Sequence, residues 1–187
     1  MIYSILNVPG LANSGPKHWQ SIWEKQYPQS FLRVHQDNWD LPVCEDWVYQ
    51  LQQTIASLTQ PTLIVAHSLG CITVAHWAEK FYSPFIEGAL LVAPADADRH
   101  KKNILDFIVG FNPIPTNPLP FKSVVIASTN DQYATIERAE QMARQWQSTF
   151  VNIGEKGHIN ANSALDDWKE GKTLLKTHFA RLSFDFQ

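Results

Sequence analysis

Cysteine is scarce in this chain: there are 2 in 187 residues, Cys44 and Cys71, well separated. So few thiols exclude a disulfide framework, and neither lies at a Cys-x-x-Cys or Cys/His spacing that would hold a metal. Both read as free thiols, which points to a reducing, cytoplasmic setting. Basic charge is short as well. Lys and Arg number 15 against 18 Asp and Glu, giving a net charge of −3, and only Lys101 and Lys102 are adjacent. Nucleic-acid binding therefore has no footprint. No apolar run reaches membrane-spanning length. The first residues, Met1 to Val8, lack a basic flank and lead straight into Pro9-Gly10, so they read as a strand and not as a signal peptide. No repeat, low-complexity tract or linker divides the chain, and residues 1–187 read as one domain.

What is present is alternation. Apolar, β-prone runs fall at Ile2–Val8, Phe31–His35, Thr62–Ala66, Ile86–Ala93, Lys122–Ser128 and Phe150–Ile153. Between them lie helical patterns at Lys17–Tyr27, Glu45–Leu58, about 70–80 and Thr135–Trp146. Further helical sequence resumes near Ser163, whose spacing to Asp166 suggests an N-cap, and a last helix is predicted over about 172–182. The runs at 86–93 and 122–128 are nearly continuous, as strands buried on both faces must be. Six strands joined by helical crossovers predict an α/β fold, a parallel doubly wound sheet with helices on both faces. If the second strand crosses to the edge and the third returns beside the first, the order is 2-1-3-4-5-6. The switch point then lies between strands one and three.

Ala66-His67-Ser68-Leu69-Gly70 sits between the third strand and the helix that follows. A sharp strand-to-helix turn exposes a serine at its apex, and small residues two before and two after let strand and helix approach. Ala66 stands where glycine is commoner. The plain alternative is a turn whose serine caps a helix. A nucleophilic serine needs a base, and the chain order Ser…Asp/Glu…His places it after the last strand. His158, in Gly154-Glu155-Lys156-Gly157-His158, is at that place. His67 is predicted to point to the opposite side, and the remaining histidines have no reason to converge. For the acid, Asp131 at the end of the fifth strand is preferred, and Asp96 after the fourth strand is the rival. The oxyanion donors would be the backbone N–H groups of Leu69 and of Leu11, which follows Pro9-Gly10.

With those residues in place, the sequence resembles the small α/β-hydrolase family that includes retinoblastoma-binding protein 9 and many bacterial relatives. The resemblance is carried by Pro9-Gly10, by Ser14-Gly15-Pro16-Lys17-His18-Trp19-Gln20, by Gln36-Asp37-Asn38-Trp39 and by Ala93-Pro94-Ala95-Asp96. Its strongest part runs from Glu155 to Gly171, with Gly157-His158-Ile159-Asn160-Ala161 and Asp167-Trp168-Lys169-Glu170-Gly171. It implies a compact α/β-hydrolase fold and supports Ser68, Asp131 and His158 as nucleophile, acid and base. Relatives often have glycine in place of Ala66 and proline in place of Gln132. The L-x-C-x-E signature is absent, since Leu41-Pro42-Val43-Cys44-Glu45 has the wrong spacing, so no retinoblastoma-type partner is expected.

The function expected is a serine hydrolase acting on a small-molecule ester or amide, without metal or organic cofactor. The alternatives are an acyltransferase or peptidase using the same residues, or a non-catalytic binding protein on the same fold. His18, Trp19, Trp39, Phe111 and Ile114 could form an apolar substrate pocket, although large aromatics more commonly fill cores. The proline-rich stretch 112–120 reads as a stiff connector, or else as one wall of that pocket.

Overall fold

The computed structural model describes residues 4–99 and 107–179. Its sheet is six-stranded, in the order β2-β1-β3-β4-β5-β6. The strands are β1 (Ser4–Val8), β2 (Phe31–Arg33), β3 (Thr62–His67), β4 (Ile86–Val92), β5 (Lys122–Ala127) and β6 (Thr149–Asn152). Every pairing is parallel, with Ile5 opposite Phe31 on one side and Leu63 on the other. The helices are α1 (Trp19–Gln26), α2 (Cys44–Ala56), α3 (Leu69–Lys80), α4 (Ile136–Gln145) and α5 (Lys169–His178). This is the parallel, doubly wound arrangement that the alternation predicts, and it agrees with the α/β-hydrolase fold that the resemblance implies.

Period-two alternation along each strand divides the core into two layers. Leu6, Ile64, Ala66, Ala89, Leu91 and Val125 face α2, α3 and α4, where Trp47, Leu51, Ile72, Trp77 and Met142 are buried. Ile5, Leu63, Val65, Leu90, Val92 and Val124 face α1 and α5, where Trp19, Trp23, Trp168 and Leu175 are buried. The second layer is built on tryptophan. Trp19, Trp23 and Trp168 lie 4.7–5.8 Å apart, and Trp23 and Trp168 are stacked at 12°. A Cβ on Gly171 would overlap the Trp168 ring, so α5 can seat on this cluster only with glycine there.

Two local expectations are corrected. Ser163 does not open a helix: Asn160 caps a short 3-10 turn at Ala161–Ser163, and the Ser163 hydroxyl is taken up by the Lys156 carbonyl at 2.6 Å. Left-handed backbone at Ala164, Asp166 and Trp168 then keeps the chain irregular until α5 begins at Lys169, three residues earlier than predicted. Residues 180–182 of the predicted last helix lie outside the described residues, as do Ile2 and Tyr3 of the first strand. Between β4 and β5, the described residues 93–99 and 107–121 hold no helix, in keeping with four prolines after residue 112.

The site end of the sheet depends on close backbone contact. A Cβ on Gly70, in the first turn of α3, would overlap the carbonyl oxygens of Val8 and Pro9 at the exit of β1. Gly70→Ala should therefore destabilise the fold by about 1–3 kcal/mol, the usual cost of overpacking. Urea unfolding reads this directly, and a variant as stable as the parent would show that the contact can relax.

Candidate active site

Ser68 lies at the turn from β3 into α3 with φ 55° and ψ −123°. Positive φ in a side-chain-bearing residue costs roughly 1–3 kcal/mol, so the surroundings must impose it. Three contacts do so. The Ser68 N–H donates to the Val92 carbonyl at 2.9 Å, and its own carbonyl accepts from Cys71 N–H at 3.0 Å. From the other side the exit of β1 closes in: a Cβ on Gly10 would stand 2.9 Å from Ser68 Cβ and 3.1 Å from Leu69 N. Ala66 needs no glycine, because its methyl points into the α2–α4 core layer and is fully buried there.

Ser68 Oγ is 2.7 Å from His158 Nε2, and His158 Nδ1 is 2.8 Å from Asp131 Oδ2 and 3.0 Å from Oδ1. A hydroxyl beside one imidazole nitrogen, with a carboxylate at the other, can be deprotonated as it attacks. The Asp131 side chain is 4% exposed. Its Oδ1 also accepts from Tyr133 N–H at 2.8 Å, and the Tyr133 ring packs 4.3 Å from the His158 ring. Asp96 reaches the rim of the same cleft but is paired elsewhere. Arg138 Nε donates to its Oδ1 at 3.0 Å, while Arg138 Nη2 holds Asp98 at 2.5 Å.

His158 rides on a loop with no regular structure, and side chains from four places fix it. Ser128 Oγ accepts from Lys156 N–H at 2.9 Å, and Asn130 Oδ1 accepts from Gly157 N–H at 2.7 Å. His67 Nε2 contacts the His158 carbonyl at 2.9 Å, and Trp19 Nε1–H donates to the Ile159 carbonyl at 2.8 Å. Sequence reasoning missed Ser128, Asn130, Tyr133 and this role of Trp19. The one available signal was that Ser128 and Asn130 flank the strand end that carries Asp131.

His67 and His18 correct the expectation that the other histidines do not converge. The ring of His67 lies 4.7 Å from His18 and 4.9 Å from His158. Strand alternation does put His67 on the α1/α5 face, but the start of α1 and the His158 loop both cross the top of that face. Burial drives the His67 pKa well below its usual value, with the neighbouring imidazoles adding to the effect. Burial likewise pushes His18 down to about 3, helped by Arg33 and His158. His18 Nδ1 accepts from Gln20 N–H at 3.2 Å and caps α1, which leaves the proton of the neutral ring on Nε2. That nitrogen is buried without a partner among the described residues.

A cleft of about 280 Å³ opens at Ser68. Leu11, Ala95, Ala97 and Ile108 give it apolar walls, Leu69 and His18 line it beside the serine, and Asn13, Asn160 and Asn162 are its polar ends. Of the side chains expected in a substrate pocket, His18 lines the cleft and the other four do not. Trp19 and Phe111 are fully buried core residues and Ile114 is 3% exposed. Trp39 packs edge-on against Trp47 at 5.5 Å, outside the cleft. These side chains follow the burial rule for large apolar groups. Residues 112–120 do not line the cleft either: Ile114 N–H is tied to Asp98 and the Pro115 carbonyl to Trp146, as in a connector. The Leu11 and Leu69 N–H groups have no acceptor among the described residues. Also among the described residues, no three His, Cys, Asp or Glu side chains gather as metal ligands. No described helix is long and apolar enough to cross a membrane.

The serine hydrolase family model matches residues 5–177. The chain belongs to the serine hydrolase family. Among solved structures it is similar to a YdeN-like hydrolase from Pectobacterium atrosepticum, at 32% identity over 96% of this chain and 92% of that one, with a TM-score of 0.83. The ydeN gene product of B. subtilis shares 19% identity over 95% of this chain and 99% of that chain, TM-score 0.78. A thermophilic esterase from Thermogutta terrifontis shares 16% identity over 97% and 91%, TM-score 0.66, a likeness of fold. No curated protein sequence matches. Family membership makes this serine hydrolase a hydrolytic protein, consistent with a small-molecule substrate.

The buried neutral histidines have a consequence for stability. Unfolded, each would titrate near 6.5, but in the folded protein His18 does so only near 3 and His67 also lies well below. Below pH 6.5 the unfolded chain therefore binds protons that the folded chain refuses, and stability falls with pH from about 6.5 toward 3. Asparagine keeps the capping function at residue 18. In His18→Asn and His67→Gln, the slope of unfolding free energy against pH should flatten by up to one proton each. Equal slopes in parent and variants would show that these rings are not held neutral.

Proposed function

We propose that this serine hydrolase cleaves small esters or amides through an acyl-enzyme on Ser68. The observation that carries the reading is the unbroken line from Ser68 Oγ through His158 to Asp131 at the floor of an apolar cleft. Ser68 Oγ attacks the substrate carbonyl carbon while His158 Nε2 takes the hydroxyl proton. Asp131, held by the Tyr133 amide, keeps the imidazole in the required tautomer and stabilises its cation. The carbonyl oxygen, now an oxyanion, faces the Leu69 and Leu11 N–H groups. His158 returns the proton to the leaving alcohol or amine. Water, deprotonated by His158, then attacks the acyl carbon; the bond to Ser68 Oγ breaks as His158 returns that proton to it, releasing the acid.

The acid is assigned to Asp131 and not Asp96, because Arg138 already compensates Asp96. Labelling with a fluorescent fluorophosphonate tests the assignment. Ser68→Ala should abolish labelling and lower kcat by about 10⁴–10⁶, and Asp131→Asn should lower it by roughly 10⁴. Asp96→Asn should stay within about tenfold of the parent, since it removes no group from the reacting line. A silent Asp131→Asn beside a severe Asp96→Asn would reverse the assignment. A folded parent that never labels would favour a binding role on the hydrolase fold.

The cleft volume sets the acyl group. Each methylene it can bury adds up to about fourfold to kcat/KM, from about 0.8 kcal/mol of transfer free energy. Along a nitrophenyl ester series, kcat/KM should climb over the first few carbons and then stop as the chain leaves the cleft. A continuing rise to long acyl chains, or inactivity at every length, would refute a small acyl substrate.

A further inference from the structure

We propose that His67 is a positioning residue for His158: its imidazole holds the main-chain carbonyl of the base and so sets the base against the nucleophile. The inference rests on the Ser68–His158–Asp131 reading above. Three observations carry it.

The first is the bond itself. His67 Nε2 lies 2.9 Å from the His158 oxygen across 91 residues of sequence, in a buried setting. A carbonyl can only accept, so Nε2 carries the proton and donates it. The second is the weakness of the loop that carries His158. Gly154, Gly157 and Ile159 have φ of 74°, 57° and 49°, so no ladder of regular structure holds the segment. Its amides are held from the end of β5, by Ser128 and Asn130. Its carbonyls are held by His67 and Trp19.

The third is the place of His67. Ser128 and Asn130 lie on the strand end that leads to Asp131, so they set the base relative to the acid. Trp19 belongs to α1. His67 is joined by one peptide bond to Ser68, so its hydrogen bond sets the base directly against the nucleophile. The shell around it suits this task. His18 packs its ring against His67 at 4.7 Å in an edge-on arrangement, and burial keeps both rings uncharged. Uncharged neighbours leave His158 free to become the cation during turnover, where a second imidazolium 4.9 Å away would oppose it.

The test compares His67→Leu, which removes the donor, with His67→Gln, whose side-chain amide reaches roughly the position of Nε2. Both are measured beside the parent and Ser68→Ala, by fluorophosphonate labelling rate and by kcat and KM on a short nitrophenyl ester. A misplacement of about 1 Å at a reacting group can cost about 10²-fold. His67→Leu should therefore lose about 30–100-fold in kcat and labelling rate with KM changed less than about threefold, and His67→Gln should recover most of that loss. A role confined to core packing would lower Leu and Gln alike, or move stability and not kcat, and either result overturns the proposal. If His67→Leu does not fold, His67→Asn, too short to reach the carbonyl, replaces it against Gln with the same criteria. Absence of Ser68-dependent labelling in the parent overturns the parent reading and this one together. Ser68-dependent labelling with indistinguishable donor and non-donor variants overturns this one alone.

Discussion

The structure turns on the close approach of three backbone segments at Ser68. The exit of β1, the end of β3 and the first turn of α3 meet with no room for side chains at Gly10 and Gly70. That contact is what makes the unfavourable φ of Ser68 sustainable: relaxing the turn would push α3 into the carbonyls of Val8 and Pro9. It also explains why the cleft opens between β1 and β3. The sheet order reverses there, so the loops after those two strands diverge to opposite faces and leave a gap at their carboxyl ends. Leu11, just past Gly10, and Leu69, between Ser68 and Gly70, line that gap, and their N–H groups have no acceptor among the described residues. Strain, crevice and amide donors thus share a single packing cause.

Charge is distributed around the cleft with comparable economy. Carboxylates approach it from two loops, after β4 and after β5. Arg138 takes both Asp96 and Asp98, which ties the β4 loop to α4 and removes their charge from the site. Asp131 faces an imidazole and a backbone amide instead. Its negative charge therefore gains most when that imidazole is protonated. The other two histidines near His158 are buried uncharged, one capping a helix and one bonded to a carbonyl. Of three clustered imidazoles, only His158 has a carboxylate to stabilise its cation.

Most of the sheet was legible from sequence because the inner parallel strands β1, β3, β4 and β5 are buried and leave apolar runs, while the edge strands β2 and β6 are shorter and partly exposed. Order along the chain also pointed to Ser68 and His158 as partners, and the structure brings their side chains within 2.7 Å. What was missed shares a physical origin. Sequence periodicity shows that a side chain is buried, but it does not distinguish a core from the wall of a cleft. Trp19, Trp39, Phe111 and Ile114 are apolar residues near glycine- or proline-rich loops, and all four went to packing. His67 was misplaced for a related reason. Alternation gave its face correctly, but the loops that cross that face come from residues 18 and 158, and such contacts leave no local pattern. Ser163 shows the limit of a capping signal: its spacing to Asp166 fits an N-cap, yet its hydroxyl goes to the Lys156 carbonyl and no helix begins there.

The tryptophan layer connects these points. Trp19, Trp23 and Trp168 fill the α1/α5 face, but two of them also donate their indole N–H to carbonyls of the segment after β6, Trp19 to Ile159 and Trp23 to Asp167. A buried indole N–H gains from an acceptor, and the irregular segment between His158 and α5 has carbonyls that no helix or strand uses. Each satisfies the other. An aliphatic core would have filled the same volume but lost these two anchors of the segment. Tryptophan on this face therefore both fills the core and helps hold the loop that carries His158, so single side chains serve the core and the candidate site together.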